Sequence, residues 1–307
     1  MHFADRLQDR IDKVGSRIVI GIDPDPKRVF SPQSGLKQAF GGKSSEYVLE
    51  AFCRTIVDVA KDYACAIKPQ AAFFECMGIM GLSVLSRVIT YARSFDIPVI
   101  LDAKRGDIGN TASAYSAAYL ESGSDFFADA LTVNPFLGPD TLAPFVETAD
   151  KNNCGLFVLV KTSNPGSSAF QDLRVLNAGQ KQVATVSEII GAEIATLGDK
   201  NLGACGLSNI GAVVGATHPE SMVRLRQIMP RTIFLLPGYG AQGGTAADVR
   251  AAFTSDGKGA IVSSSRQIIF AYEKLENSRP TAEQVTRAIE GAALKARDDI
   301  NSAISLI

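Results

Sequence analysis

The chain has 307 residues, 46% of them hydrophobic, which is ample for one large core or two ordinary ones. Lys and Arg number 31 against 32 Asp and Glu, so the basic surplus that phosphate-backbone binding draws on is missing, and nucleic acid is not an expected partner. No window approaches about eighteen uninterrupted apolar residues, and the opening MHFADRLQDRIDKVGSR alternates charged and apolar residues at helical spacing with no small-residue cleavage site. Neither a membrane span nor a signal peptide is expected. Cys53, Cys65, Cys76, Cys154 and Cys205 lie in apolar stretches without paired metal-type spacing and read as reduced core residues of a cytoplasmic protein. His2 and His218 leave little room for a histidine metal site or a Ser-His-Asp triad, and loop or cap roles are expected for both.

In chain order, the first apolar run, RIVIGID (17–23), is followed by a long loop (24–45) and a helical pattern over 46–63. ACAIKPQ (64–70) precedes a helix over 80–95, and IPVILDAK (97–104) precedes one over 110–121. ALTVNPF (130–136) leads to a helix over 140–151, and GLFVLVKTS (155–163) to a second long loop (164–174) and a helix over 179–198. IGAVVGA (210–216), TIFLLPG (232–238) and AIVSSSR (260–266) follow, with helices expected over 219–230, 246–253 and 281–300. Nearly continuous apolar strands are expected where both faces are buried, as in a parallel sheet covered by helices. Eight βα units without a linker predict a (β/α)8 TIM barrel occupying 1–307 as a single domain. An open doubly wound sheet is the runner-up, but its nucleotide loop belongs after the first strand, where GIDPDP is not glycine-rich. Loops as long as 24–45 and 164–174 are candidate lids or rims.

Barrel chemistry collects at the carboxyl ends of the strands. The residues there are Asp23, Lys68, Asp102 with Lys104, Asn134, Ser163, Pro237 and Arg266. Asp102 and Lys104 are two apart and point to one side, inward, while Leu101 and Ala103 face the helices. Asp107 lies in the turn beyond, close enough to fold back over the site, and Arg105 reads as a solvated or interface charge on the opposite side. A structural ion pair is the bland alternative for Asp102 and Lys104. Burying ions costs several kcal/mol each before pairing, so this many at strand ends favours chemistry. GYGAQGG (238–244) follows the seventh strand and SSSR closes the eighth, the two loops that commonly bind phosphate in barrels. The glycine turn, Gln242 and Arg266 would suit a phosphate dianion. FGGKSS (40–45) lacks the earlier glycine of a P-loop, Lys37 standing in its place, and GLSNIG fails the G-x-S-x-G spacing.

The blocks IGIDPDP, IKPQAAFFE, LDAKRGDIGNTASAY, LTVNPFLG, VKTSNPGS, LPGYGAQGG and IVSSSRQIIFA occur in an order that resembles the orotidine 5'-phosphate decarboxylases, specifically their longer subgroup, type 2. The resemblance covers nearly the whole chain. It implies a (β/α)8 barrel, a homodimer with sites at the interface, and cofactor-free conversion of orotidine 5'-phosphate to uridine 5'-phosphate and carbon dioxide in pyrimidine biosynthesis. By motif it makes Lys104 the proton donor to C6 and places Asp102 and Lys68 in the same charged array. Asp107, with Ile108 and Thr111, would reach the neighbouring subunit's site. Asp23 and Lys68 would hold the ribose hydroxyls, Ser163 the pyrimidine, and Tyr239, Gln242 and Arg266 the phosphate end, with Pro237 packing near the base. The unaccompanied Lys68-Pro69-Gln70, the Ser-Ser-Arg ending and the long first loop fit the longer subgroup.

Two other readings make different demands. A sister sugar-phosphate decarboxylase would need magnesium and an acidic ligand on the second strand, where only Glu75, several residues beyond, is available. A noncatalytic phosphate-ligand sensor on the same barrel would have no use for a proton donor, yet Asp102, Lys104 and Asp107 occur together.

Overall fold

The computed structural model describes residues 1–42, 44–177, 182–240, 243–276 and 279–305. Its strands in chain order are β1 (Ile18–Ile22), β2 (Ala66–Pro69), β3 (Ile100–Arg105), β4 (Ala130–Val133), β5 (Gly155–Lys161), β6 (Arg174–Asn177), β7 (Gln182–Thr185), β8 (Ile210–Val214), β9 (Phe234–Leu236) and β10 (Ala260–Ser264). All but β6 and β7 form one parallel sheet in the order β2-β1-β10-β9-β8-β5-β4-β3. Bridges from Ile67 to Val99 and from Gln70 to Asp102 join its two edges, which closes the (β/α)8 barrel that the alternating pattern predicts.

Strand periodicity sorts the core into two regions. Ile18, Ile20, Leu101, Leu131 and Leu156 face outward and pack with Phe52, Ile56, Phe145 and Ile289 of the surrounding helices. Val19, Ala66, Ile100, Ala130, Phe157, Leu235 and Ile261 fill the interior together with Phe3, Leu7 and Ile11. These last three belong to the helix Phe3–Val14, whose apolar stripe plugs the amino-terminal end of the barrel. Phe3 lies so close to β5 that a Cβ at Gly155 would come within 2.3 Å of its ring. With that end sealed, the open mouth is the opposite one, and the inward parity of Val19, Ala66 and Ile100 continues to Asp23, Lys68 and Asp102 there.

Three expectations are revised. The helix expected over 179–198 starts only at Val186, because Gln182–Thr185 pairs antiparallel with Arg174–Asn177. Thr185 then caps the helix, bonding the Glu188 N–H while Glu188 bonds back, so the capping box outranks the upstream helical periodicity. Residues 179–181 of that expectation lie outside the described residues. The first long loop is not an open rim: it carries the short helices Pro26–Val29 and Leu36–Ala39, and Val29 and Leu36 are buried in the main core. Among the cysteines, Cys53, Cys65 and Cys154 are buried thiols, but Cys76 is exposed and Cys205 half-buried. His2 does act as a cap, its Nδ1 accepting the Ala4 N–H. Among the described residues, no helix is long and apolar enough to cross a membrane.

Candidate active site

At the carboxyl end of the strands lies a cleft of about 410 Å3 lined by residues at or near the ends of all eight barrel strands. At its floor the Asp102 carboxylate joins two lysines: Lys68 Nζ is 2.6 Å from Oδ2 and Lys104 Nζ is 2.6 Å from Oδ1. Gln70 Nε2 donates to Oδ2 at 3.0 Å and Thr132 Oγ1 to Oδ1 at 3.1 Å, so both carboxylate oxygens are doubly satisfied. Lys68 and Asp102 are 6% and 7% exposed, which makes theirs a buried ion pair. Burial alone would raise the Asp102 carboxyl, but Lys68 first and Lys104 second outweigh it and hold the group well below the usual carboxylate range. Burial likewise opposes charge on Lys68, and Asp102 and Asp23 overcome it to keep this ammonium charged above its ordinary range.

Lys104 is one of three residues other than glycine with positive φ among the described residues, at 49°, and the β3–β4 register shifts between Leu101 and Arg105. Such backbone is held only where surrounding bonds over-determine it. Thr132 supplies them, its hydroxyl oxygen accepting the N–H groups of Ala103 and Lys104 at 3.0 and 2.9 Å while its proton goes to Asp102. Lys104 therefore reaches the mouth through a bulge and not by simple alternation. Ala103 does pack outward on the core, as expected. Arg105 also turns outward, but it is not merely solvated: it pairs with Glu75 and bonds the Tyr119 hydroxyl.

The remaining expected residues divide into several groups. Asp23, Ser163, Pro237, Tyr239 and Arg266 line the cleft with Lys68, Asp102 and Lys104. Asp23 Oδ1 is buried with no hydrogen-bond partner, an acceptor left open at the site. Tyr239 lines the wall, but its hydroxyl donates to Asp299 of the helix Ala282–Ile304, so only the rest of the residue is available to a ligand. Asp107, Ile108 and Thr111 do not line this cleft. Asp107 Oδ1 accepts the Ile108 N–H, Ile108 is 63% exposed, and Thr111 is also exposed, so the three stand on the outer rim. Gln242 lies outside the described residues. Asn134 is spent on the turn, accepting the Phe136 N–H, and β4 is represented in the site by Thr132 instead.

Gln70, Thr132, Thr162, Asn164, Ser263 and Ser265 complete the polar side chains of the lining. The same alternation that selects Lys68 selects Gln70, and the parity of Ala130 selects Thr132, but uncharged side chains carry no signal of their own. Ser265 comes so close to β1 that a Cβ at Gly21 would lie 2.7 Å from its own. Its buried hydroxyl is unpartnered. Gly238 and Gly240 have φ of 100° and 75°, the left-handed geometry that lets the turn after β9 bend over the cleft beside Arg266. A larger groove of about 500 Å3 lies at the sealed end, lined by Arg6, Arg10, Arg93 and Asp129. Its arginines are committed to the fold: Arg10 donates to the Ala60, Lys61 and Ala64 carbonyls, and Arg6 pairs with Asp129. The open mouth is the better site.

The closed (β/α)8 barrel carries a lysine–aspartate–lysine centre at its carboxyl mouth, the end at which barrel enzymes hold their active sites. The model of the orotidine 5'-phosphate decarboxylase / HUMPS family matches residues 16–280, and the chain belongs to that family. It is 45% identical over 285 residues to an orotidine 5'-phosphate decarboxylase of Rhodopirellula baltica, covering 91% of each chain. To the enzyme of that name from Deinococcus radiodurans it is 41% identical over 305 residues, covering 99% of this chain and 98% of the other. Among solved structures, Leishmania donovani OMP decarboxylase superposes with a TM-score of 0.74 at 31% identity, covering 99% of both chains.

Proposed function

We propose that this chain, acting over 1–307 as one catalytic unit, decarboxylates orotidine 5'-phosphate to uridine 5'-phosphate in pyrimidine biosynthesis, in the cytoplasm and without a cofactor. The observation that carries the reading is the Lys68–Asp102–Lys104 array at the cleft floor. Breaking the bond from C6 to the carboxylate leaves its electron pair on a ring carbon with no good delocalising orbital. Lys104 answers that charge with a fixed ammonium and then gives its Nζ proton to C6, carbon dioxide departing and solvent reprotonating the amine. Unit charges about 4 Å apart interact by roughly 4 kcal/mol at an effective dielectric near 20. Asp102, 2.6 Å from Lys104 Nζ, keeps that side chain aimed, and faces the departing carboxylate.

Around that centre, Asp23 and Lys68 take the ribose hydroxyls, which gives the open Asp23 oxygen its partner. Ser163 takes the pyrimidine, Pro237 packs near the base, and Arg266 takes the phosphate with the turn that carries Tyr239 and Gln242. Glu75, the first acidic residue after β2 in the chain, is paired with Arg105 outside the cleft, which counts against the magnesium reading. Loss of the orotate chromophore should follow addition of orotidine 5'-phosphate at the same rate with and without chelator. Folded protein that leaves the chromophore intact would end the proposal.

Arg266→Ala should lower kcat/KM for orotidine 5'-phosphate by about a hundredfold, the scale of one lost charge-assisted contact, with little effect on orotidine, which has no phosphate. Equal losses on both substrates would remove Arg266 from the phosphate end. We assign Asp107, Ile108 and Thr111 to the neighbouring site of a homodimer, a role supported by the exposure of Ile108 and Thr111 on the rim. Mixing inactive Lys104→Ala and Asp107→Ala chains should then restore turnover in mixed dimers; no recovery after subunit exchange would contradict the shared site.

A further inference from the structure

Lys161 ends β5 with its side chain fully buried, the only lysine among the described residues in that state. The charge takes no part in the array at the cleft floor. Its Nζ lies 2.7 Å from Oδ1 of Asp172, a residue at the far end of the loop that leaves β5. One step further along, Thr162 and Gln171 bond each other twice. The Thr162 N–H donates to Gln171 Oε1 and Gln171 Nε2 donates to Thr162 Oγ1, both at 2.9 Å. Thr162 Oγ1 in turn donates to Asn164 Oδ1 at 2.7 Å. Two rungs, 161 to 172 and 162 to 171, therefore close the loop at its base, and Ser163 and Asn164 enter the cleft just inside them.

Beneath the rungs the backbone is clamped as well. The Gly215 N–H donates to the Lys161 carbonyl at 2.7 Å, and a Cβ on Gly215 would lie 2.8 Å from the Ser163 backbone. We propose that Lys161 is a positioning residue: its buried ammonium staples the loop so that Ser163 is set for the pyrimidine before substrate arrives. A buried ammonium is strongly disfavoured without its counter-charge, whereas Asp172, 42% exposed, is readily solvated alone. The staple thus stays shut in the free enzyme, and substrate-linked movement is confined to the loop between the rungs. This rests on the reading of Ser163 as the contact to the base.

The test compares wild type with Lys161→Met, which removes the buried charge and leaves only a solvated carboxylate, and with Asp172→Asn, which strands the ammonium. Lys161→Met should weaken uridine 5'-phosphate binding about tenfold, the loss of one hydrogen bond, and leave ribose 5-phosphate binding unchanged. Amide exchange across residues 163–171 should quicken in both variants, more in Asp172→Asn, and the double variant should match Lys161→Met. Equal loss of both ligands, or quickened exchange with unchanged nucleotide binding, would overturn the positioning role. Unchanged exchange in Lys161→Met would overturn the staple itself. Wild type that binds no uridine 5'-phosphate would count against the decarboxylase reading, while exchange would still judge the staple.

Discussion

Lys104→Ala should lower kcat by about 10^5-fold or more, with uridine 5'-phosphate binding kept within a few-fold of wild type. Two losses combine. Removing a positioned general acid costs about 10^2 to 10^4, and removing an ammonium about 4 Å from a developing carbanion costs roughly another 10^3. The phosphate, ribose and base contacts assigned to Arg266, Asp23 and Ser163 do not involve this side chain, which is why binding should survive. The fold should survive too, because Lys104 is 45% exposed and Asp102 keeps its contacts to Lys68, Gln70 and Thr132. Steady-state turnover and a product-binding titration on the same preparation check both halves.

Asp102→Asn should reduce kcat/KM by about 10^3-fold and, unlike the first variant, should destabilise the protein. The asparagine accepts through one oxygen and turns an amide NH2 group toward one of the two lysines. Lys68 is then a buried ammonium that has lost its bonded counter-charge and keeps only the attraction of Asp23, a loss of up to about 3–5 kcal/mol. Lys104, freed from its partner, loses its aim. The pH dependence has a definite sign. Folded Asp102 ionises below the unfolded carboxyl at about 3.9, so its stabilisation is complete above about pH 5 and is lost as pH falls through the unfolded value toward the folded one. Lys68, raised by Asp102 and Asp23, contributes fully below its ordinary range near 10.4 and loses that contribution as pH rises through the folded value. Urea midpoints from about pH 5 down to about pH 3 should therefore fall more steeply in wild type than in Asp102→Asn.

The barrel is readable because apolar runs and helical segments alternate without a break, and because inward parity can be counted along each strand to Asp23, Lys68 and Asp102. Charge at a strand end is conspicuous for a physical reason: burial penalises it, so its presence calls for a partner or a task. Thr132 and Gln70 follow the same parity but look like ordinary strand residues until the carboxylate they hold is in place. Lys104 satisfies the counting rule by a different route, since a bulge and positive φ deliver its side chain. Such a conformation depends on the Thr132 hydroxyl across β4, and one-dimensional periodicity carries no trace of that contact. Lys161 escapes notice within GLFVLVKTS because its counter-charge lies 11 residues away, beyond a loop. The second strand of the β6–β7 hairpin reads as helix because VATVSEII satisfies both periods over a short span, and the cap at Thr185 decides between them.

Lys104→Cys offers the most direct measurement, in a chain whose exposed Cys76 and half-buried Cys205 are replaced by serine. Aminoethylation of the introduced thiol returns an ammonium at nearly the original reach, whereas carbamidomethylation returns bulk without charge. The unmodified variant should fail to turn over orotidine 5'-phosphate, the aminoethylated one should recover about a hundredfold or more, and the carbamidomethylated one should remain inactive. Near wild-type turnover by folded, unmodified Lys104→Cys, or equal recovery with the neutral adduct, would contradict a charged proton donor at this position.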